Sequence, residues 1–400
     1  MNAAASPSPA PATRWSNEFL DAMRLVADPE ADAVAAEVFK EGGATAIARL
    51  RPLLDNWDQP LTADVPSVVR DFFETPVQFP SWYDPEKIRI AEDLFVSYGP
   101  ITTVVLMLNA VPHFFTNPAG ARSFYLAKIF SPQSVQNRMK EVPHFVINIT
   151  RRGGLFQFEN PSGPHGRTKG DGVMTVQKLR MAHACIRIRL RLLPKEKGWD
   201  LATLGEPINQ EDMAEAVMDF CLCTLDGLAK VGLVQNREQQ EATLNSWKTV
   251  GFLLGLKEEL QPRDIVEARQ LRDQCVARHA RTTPEAIALI REMLGVSSSL
   301  LPRPLKNWPA GLMRYQLGNE FAGMLEVPNP KLLMWMFKVM KPLWGEDKFF
   351  AHLAKFISPR LVHWLIEHPR VGDHKTPVQM PEQLAESWQV RSRAAKAGST

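Results

Sequence analysis

The stretch LRMAHACIRIRL, residues 179–190, has the spacing of an amphipathic helix with one histidine near its centre. Side chains three and four residues apart lie on one face of a helix. One such face carries Leu179, His183, Ile186 and Leu190. Arg180 and Arg187 fall on the turns before and after the histidine. The pattern predicts a helix with a histidine on or beside its buried face, flanked by two guanidinium groups.

The rest of the chain has the same helical spacing almost throughout and very little strand alternation. Its 400 residues are 45% apolar, which is enough to bury a sizeable core. We therefore predict an all-α fold, a single multi-helix domain of ten or more helices over residues 16–370. Residues 1–15 are predicted to be a disordered tail, and residues 371–400 a mobile one. The glycine-rich segment 153–172 is predicted to be a long loop, either functional or disordered.

The composition argues against several classes of partner and site. The net charge is only +3 and no long basic run occurs, so nucleic acid is not predicted as a partner. The four cysteines form no C-x-x-C pair, which favours buried free thiols over zinc or disulfides. Cys221 and Cys223 are two residues apart on a helix, so both cannot face one metal.

The N-terminal segment has no positively charged region followed by an apolar one, so no secretory signal is predicted. No stretch reaches the roughly 18 uninterrupted apolar residues of a membrane span. We therefore expect a cytoplasmic protein without a transmembrane span, although peripheral membrane contact stays possible.

Spacing alone leaves two interpretations of His183. It can be a core histidine bonded to a backbone carbonyl, with solvated arginines. It can also be an axial ligand of a haem iron, since neutral imidazole is a common haem ligand. Nearby positive charge favours the neutral imidazole, and an arginine is suited to pairing with a haem propionate.

A second candidate is the sequence Glu141-Val142-Pro143-His144, which has the E-x-x-H spacing of di-iron carboxylate bundles. Those bundles need a second such motif, and the chain has none, so a di-iron centre is not favoured. Glu141 and His144 are then polar residues facing a cavity, or part of an exposed face. Arg138 on the turn before is consistent with both.

Several segments, in order, resemble one protein family. They include WYDPEKIRIAEDLFVSYGP, the R-x-x-H-A-x-x-R pattern within LRMAHACIRIRL, PINQEDMAEAVMDF and MRYQLGNEFAGMLEVP. Together they are similar to the oxygenase family that contains bacterial latex-clearing protein (rubber oxygenase) and the mycophenolic-acid-pathway oxygenase. The resemblance covers about residues 80–330.

The resemblance implies a mostly helical, globin-like core that binds one haem b. His183 falls on the family's proximal iron ligand and Arg180 on the arginine one turn before it. Arg180 and Arg187 would pair with propionates or lock the helix. Members of the family use dioxygen to cleave or oxidise carbon–carbon double bonds of isoprenoids. The expected function is therefore a haem-dependent oxygenase acting on an isoprenoid or another lipophilic unsaturated molecule.

The chain departs from the family on the opposite, distal side of the haem. Rubber-cleaving members carry R-x-x-K-T there; Arg138 matches its arginine, but Glu141 and Val142 stand in place of the Lys-Thr pair. Glu141 or His144 is then the expected catalytic acid or base, with Arg138 as a further catalytic candidate. The alternative is a non-catalytic haem- or lipophile-binding protein on the same scaffold.

Overall fold

The computed structural model describes residues 14–335, except residues 56, 58–59, 63, 128–133, 194–197 and 300; the side chains of residues 55, 127 and 134–140 are also outside the description. The predictions for most of the N-terminal tail and for residues 336–400, including the C-terminal tail, lie outside the described residues.

The described chain is built almost entirely from α-helices, which confirms the predicted all-α class. The helices are α1 (Asn17–Arg24), α2 (Pro29–Arg49), α3 (Arg51–Asp55), α4 (Ser67–Glu74), α5 (Pro85–Val105), α6 (Val111–Phe114), α7 (Pro118–Ala127), α8 (Ser134–Thr150), α9 (Asp171–Arg191), α10 (Leu201–Leu204), α11 (Gln210–Lys230), α12 (Arg237–Leu253), α13 (Ile265–His279), α14 (Pro284–Ser299) and α15 (Trp308–Met324). A π-helix, Leu106–Ala110, joins α5 to α6. Two short antiparallel strands, β1 (Gln157–Glu159) and β2 (Arg167–Lys169), lie between α8 and α9.

Local capping sets where three of the helices begin. Asp28, Asp84 and Asn117 each accept backbone N–H bonds from the first turn of α2, α5 and α7 with a side-chain oxygen. A proline follows each of them at the first helical position, where its missing N–H costs nothing. These starts are properties of the local sequence.

The central element is the continuous helix Pro85–Phe114, formed by α5, the π-helix and α6. It is long and apolar enough to cross a membrane by length and composition alone. In this fold it packs against α11 and α12, and every residue of the π-helix is buried. It is therefore the core helix of the domain.

Two sequence predictions need correction. Segment 153–172 is not an irregular loop: β1 and β2 pair in it as a hairpin, Gln157 opposite Lys169 and Glu159 opposite Arg167. The predicted disordered tail also extends too far, because Trp15 is buried and its Nε1 donates to the carbonyl of Glu259 at 2.7 Å. The two strands of the hairpin are too short for their alternation of apolar and polar residues to be recognised in the sequence. A single tryptophan in the tail likewise gives no spacing from which its burial could be predicted.

Candidate functional site

The histidine helix forms as predicted, as α9. One face of it, with Met181, Ala184 and Cys185, packs into a hydrophobic cluster shared with α2 and α4. The other face carries Leu179, which packs on the main core, and Leu190, which is buried in a separate small cluster. His183 has the spacing of this second face and is half-buried, with its Nδ1 atom shielded from solvent. The structure therefore places the imidazole at an apolar face of α9.

Both predicted arginines flank His183, and both have carboxylate partners on α2. Arg180 forms a two-pronged bond with Asp28, Nε to Oδ2 at 2.6 Å and Nη2 to Oδ1 at 2.8 Å. Arg187 is fully buried, and its Nε donates to Oδ1 of Asp32 at 2.7 Å. The positive charge expected beside His183 is thus balanced by protein carboxylates, and the arginines fasten α9 to the start of α2. Sequence reasoning missed these partners, although DPEAD at residues 28–32 is an unusually acidic start for a helix.

The predicted catalytic residues lie on α8, which continues through Pro143 as one helix. Glu141 is half-buried. His144 is buried, and its ring centroid lies 5.6 Å from that of Trp57. The backbone of Arg138 belongs to α8, but its side chain is outside the described residues. Its predicted catalytic role stays a prediction.

Helices α8 and α9 pack against each other, and one contact fixes their register. At the hairpin end, Nδ2 of Asn148 donates to Oγ1 of Thr175 at 2.9 Å, both buried. The hairpin reverses the chain, so the two helices run antiparallel away from this contact. Glu141 lies seven residues before Asn148 and His183 lies eight residues after Thr175, so each is about two helical turns from this contact.

A fully buried lysine adds to this part of the structure. Lys178, on α9, donates from Nζ to the backbone carbonyl of Trp57 at 3.2 Å. The same tryptophan packs against His144, so Trp57 links α8 to α9. Spacing alone does not separate such a lysine from a solvated one, and sequence reasoning missed it.

The hairpin between these helices carries His165, which is not among the predicted site residues. His165 is exposed at the turn between β1 and β2, in the left-handed backbone region with φ of 52°. Glycines seat the hairpin on the helix ends: a Cβ at Gly172 would lie 2.7 Å from the carbonyl oxygen of Asn148. The segment is therefore a packed connection, with His165 at its outer end.

A row of buried acidic residues runs along α11, and the sequence interpretation did not single it out. Asn117 donates from Nδ2 to Oδ1 of Asp212 at 3.0 Å and to Oε2 of Glu215 at 2.6 Å. Burial raises the pKa of Asp212 to about 6, and burial together with Asp219 raises that of Glu215 well above its usual range. The signal was present in the sequence, since positions 212, 215 and 219 are spaced as one face of a helix.

Comparisons with known proteins agree on this region. A family model described as the catalytic domain of ER-bound oxygenase mpaB/B' and rubber oxygenase matches residues 137–343, which contain most of α8 and all of α9 and α11. A rubber oxygenase from Streptomyces sp. is 26% identical over 324 residues, covering 79% of this chain and 74% of the relative. A solved structure of latex clearing protein in its closed state has the same fold, with a TM-score of 0.64 and 23% identity over 92% of this chain and 90% of that one.

Proposed function

The chain belongs to the oxygenase family of mpaB/B' and rubber oxygenase, and from this premise we propose that it is a haem b-dependent oxygenase. It would use dioxygen to cleave or oxidise carbon–carbon double bonds of an isoprenoid or another lipophilic unsaturated molecule. Family membership assigns the oxygenase class; the haem and the substrate are the proposal. The observation that carries it is the position of His183, half-buried at an apolar face of α9 inside the matched segment.

The residues around His183 fit a haem group by the chemistry of their donors. An imidazole at an apolar helix face is the usual iron ligand of a haem pocket. Nη2 of Arg187 is buried and makes no hydrogen bond within the described part of the chain, so this arginine keeps one donor for a propionate. His183 would hold the iron, Arg187 would hold a propionate, and Arg180 would keep α9 in place through Asp28. When bound, haem b supplies the iron at which dioxygen is activated.

The chain's own contribution on the other side would come from α8. We assign to the Glu141 carboxylate the removal of an allylic proton from the substrate, because it is half-buried and, like His183, about two helical turns from the contact between α8 and α9. His144 lies buried next to it on the same helix, where it can hold or pass on that proton. Val142 and Phe145, also on α8, pack into the main core, and this packing helps to exclude water from the reaction. Arg138 retains its predicted role beside them.

The visible spectrum of the purified full-length protein tests the haem. Expressed with ample haem, the wild type should show a Soret band, and His183→Ala should lose it. His165→Ala is the matched control, because that histidine is exposed at the tip of the hairpin, and it should keep the band. A colourless wild type would overturn the haem assignment.

Oxygen uptake with a short isoprenoid alkene tests the reaction. Glu141→Gln should lower the rate by about 10²–10⁴-fold, the usual contribution of a general acid or base, while the Soret band persists. Unchanged turnover in that variant would remove Glu141 from the mechanism. A wild type that binds haem but consumes no oxygen with any alkene would instead be the carrier alternative.

A further inference from the structure

Three potential metal ligands meet in the core where α6 packs against α11. Nδ1 of His113 lies 2.9 Å from Oδ1 of Asp219, and Sγ of Cys223 lies 3.7 Å from the same oxygen. The ligand atoms of all three residues are within 4.8 Å of one another, and all three residues are buried. One imidazole, one carboxylate and one thiol thus converge on a single point away from solvent.

The local structure explains why they converge. Asp219 and Cys223 are four residues apart on α11, so they occupy one face of it. The π-helix just before α6 adds a residue to one turn, which changes the direction in which His113 points; such π-turns are frequent at functional sites. Nδ2 of Asn109 in that turn donates to the carbonyl of Cys223 at 2.7 Å and ties the π-helix to α11. On its other side, the ring of His113 packs against Phe321 at 4.4 Å between centroids.

Two buried carboxylate oxygens at this place have no hydrogen-bond partner among the described residues. They are Oδ2 of Asp219 and Oε1 of Glu215, one turn earlier on α11, and both side chains are fully buried. A buried acceptor without a donor costs folding free energy, so such groups are rare unless something binds them. The charge of Arg272 acts on Asp219 and Cys223, but this arginine is already paired with Asp226 and Asp273. The observation points to a ligand of positive charge.

We propose that His113, Asp219 and Cys223 bind one Zn²⁺ ion, which joins α6 to α11 in the core. A mixed nitrogen, oxygen and sulfur set suits this borderline-soft ion, which binds sulfur at about 2.3 Å and nitrogen or oxygen at about 2.0 Å. With the thiolate and the carboxylate as ligands the centre is electrically neutral, which a dry site requires. The fourth tetrahedral position is open to a water molecule, which keeps the centre neutral.

This inference is independent of the haem proposal. His183 lies on α9, and the zinc ligands lie on α6 and α11; α9 and α11 both pack against α12. The site ties the core helix Pro85–Phe114 to α11, so its expected effect is on stability. A chelator should lower the melting temperature of the protein, and zinc should restore it.

Metal analysis of the purified full chain, dialysed against Zn²⁺ and then against metal-free buffer, tests the site. The wild type should retain about one zinc per chain, counted separately from iron, and Cys223→Ser should lose it. Cys221→Ser is the matched control: that cysteine is equally buried on the same helix but outside the cluster, and its zinc content should be unchanged.

Cobalt binding provides a second test, which uses only the wild type and does not depend on a variant that folds. Co²⁺ added to the metal-free wild type should give the near-ultraviolet charge-transfer band of a thiolate ligand, and equimolar Zn²⁺ should remove it. A folded wild type that retains no zinc and gives no such band would overturn the proposal. So would zinc content that survives in a folded Cys223→Ser protein.

Discussion

The ion pair between α9 and α2 gives the sharpest prediction about stability. Arg187 is fully buried, whereas the side chain of Asp32 is 20% exposed. Burial raises the pKa of Asp32 even though Arg187 opposes the shift, so desolvation offsets much of the attraction within the pair. Removing Asp32 and removing Arg187 should therefore lower the free energy of unfolding by very different amounts.

Asp32→Ala should lower the free energy of unfolding by about 3 kcal/mol. It leaves a guanidinium group buried without its charge partner, and breaking such a pair typically costs about 3–5 kcal/mol. We expect the lower end of this range because Nη1 of Arg187 still donates to the carbonyl of Ile208, 3.5 Å away, which partly compensates for the lost carboxylate. Arg187→Met should cost only about 1 kcal/mol, because methionine fills the space and the partly exposed Asp32 can be hydrated. The double variant should resemble Arg187→Met, which gives a coupling of about 2–3 kcal/mol.

Urea unfolding followed by circular dichroism measures all three free energies on one scale. Glu30→Ala is the matched control: Glu30 pairs with Arg180 at 2.7 Å on the same helix start, but its side chain is 72% exposed, so its loss should cost less than about 1 kcal/mol. The reasoning fails if Asp32→Ala is as mild as Glu30→Ala, or if the double variant is as unstable as Asp32→Ala.

Two further predictions concern the core helix. Burial raises the pKa of Glu92 to about 7 from an ordinary 4.5, so the folded protein favours the protonated carboxyl. The free energy of unfolding should therefore fall by about 1–2 kcal/mol, after solvent screening, as the pH rises from 4.5 through 7. The difference in unfolding free energy between wild type and Glu92→Gln should show this slope, and a difference that does not change between pH 4.5 and 7 would contradict it. Gly227→Ala should cost about 1–3 kcal/mol in urea unfolding, because its Cβ would overlap Cγ1 of Val105. Gly295→Ala, with open space around it in α14, should instead stabilise by about 0.5–1 kcal/mol, and equal effects in the two variants would contradict the packing argument.

The sequence predicted the features of this fold that depend on local spacing. α9 and its apolar face follow from residues three and four apart, and the starts of α2, α5 and α7 follow from an Asp or Asn before a proline. The placement of His183 at an apolar face of α9 likewise follows from local spacing. The order of the segments that resemble the oxygenase family then led to that family, which the comparisons confirmed.

Features that depend on distant contacts were not predictable in the same way. Arg187 and Asp32 are 155 residues apart in the chain, so nothing near the histidine helix indicates that its arginines are already paired. The sequence analysis considered Cys223 only together with Cys221, whereas its convergence with His113 depends on the packing of α6 on α11. Helical spacing also assumes 3.6 residues per turn, and the π-turn before His113 breaks that rule.

The buried charges of α9 and α11 differ in a way that assigns them different work. On α9, Arg180 and Arg187 donate at 2.6–2.8 Å to carboxylates at the start of α2, so each guanidinium group has a charge partner within the protein. On α11, Glu215 and Asp219 are buried with oxygens that no described donor reaches. Apolar residues at those positions would pack with less desolvation penalty. The buried acidic groups of α11 therefore differ from the arginines of α9 in lacking a partner of opposite charge at these oxygens, and the proposed zinc ion would supply it.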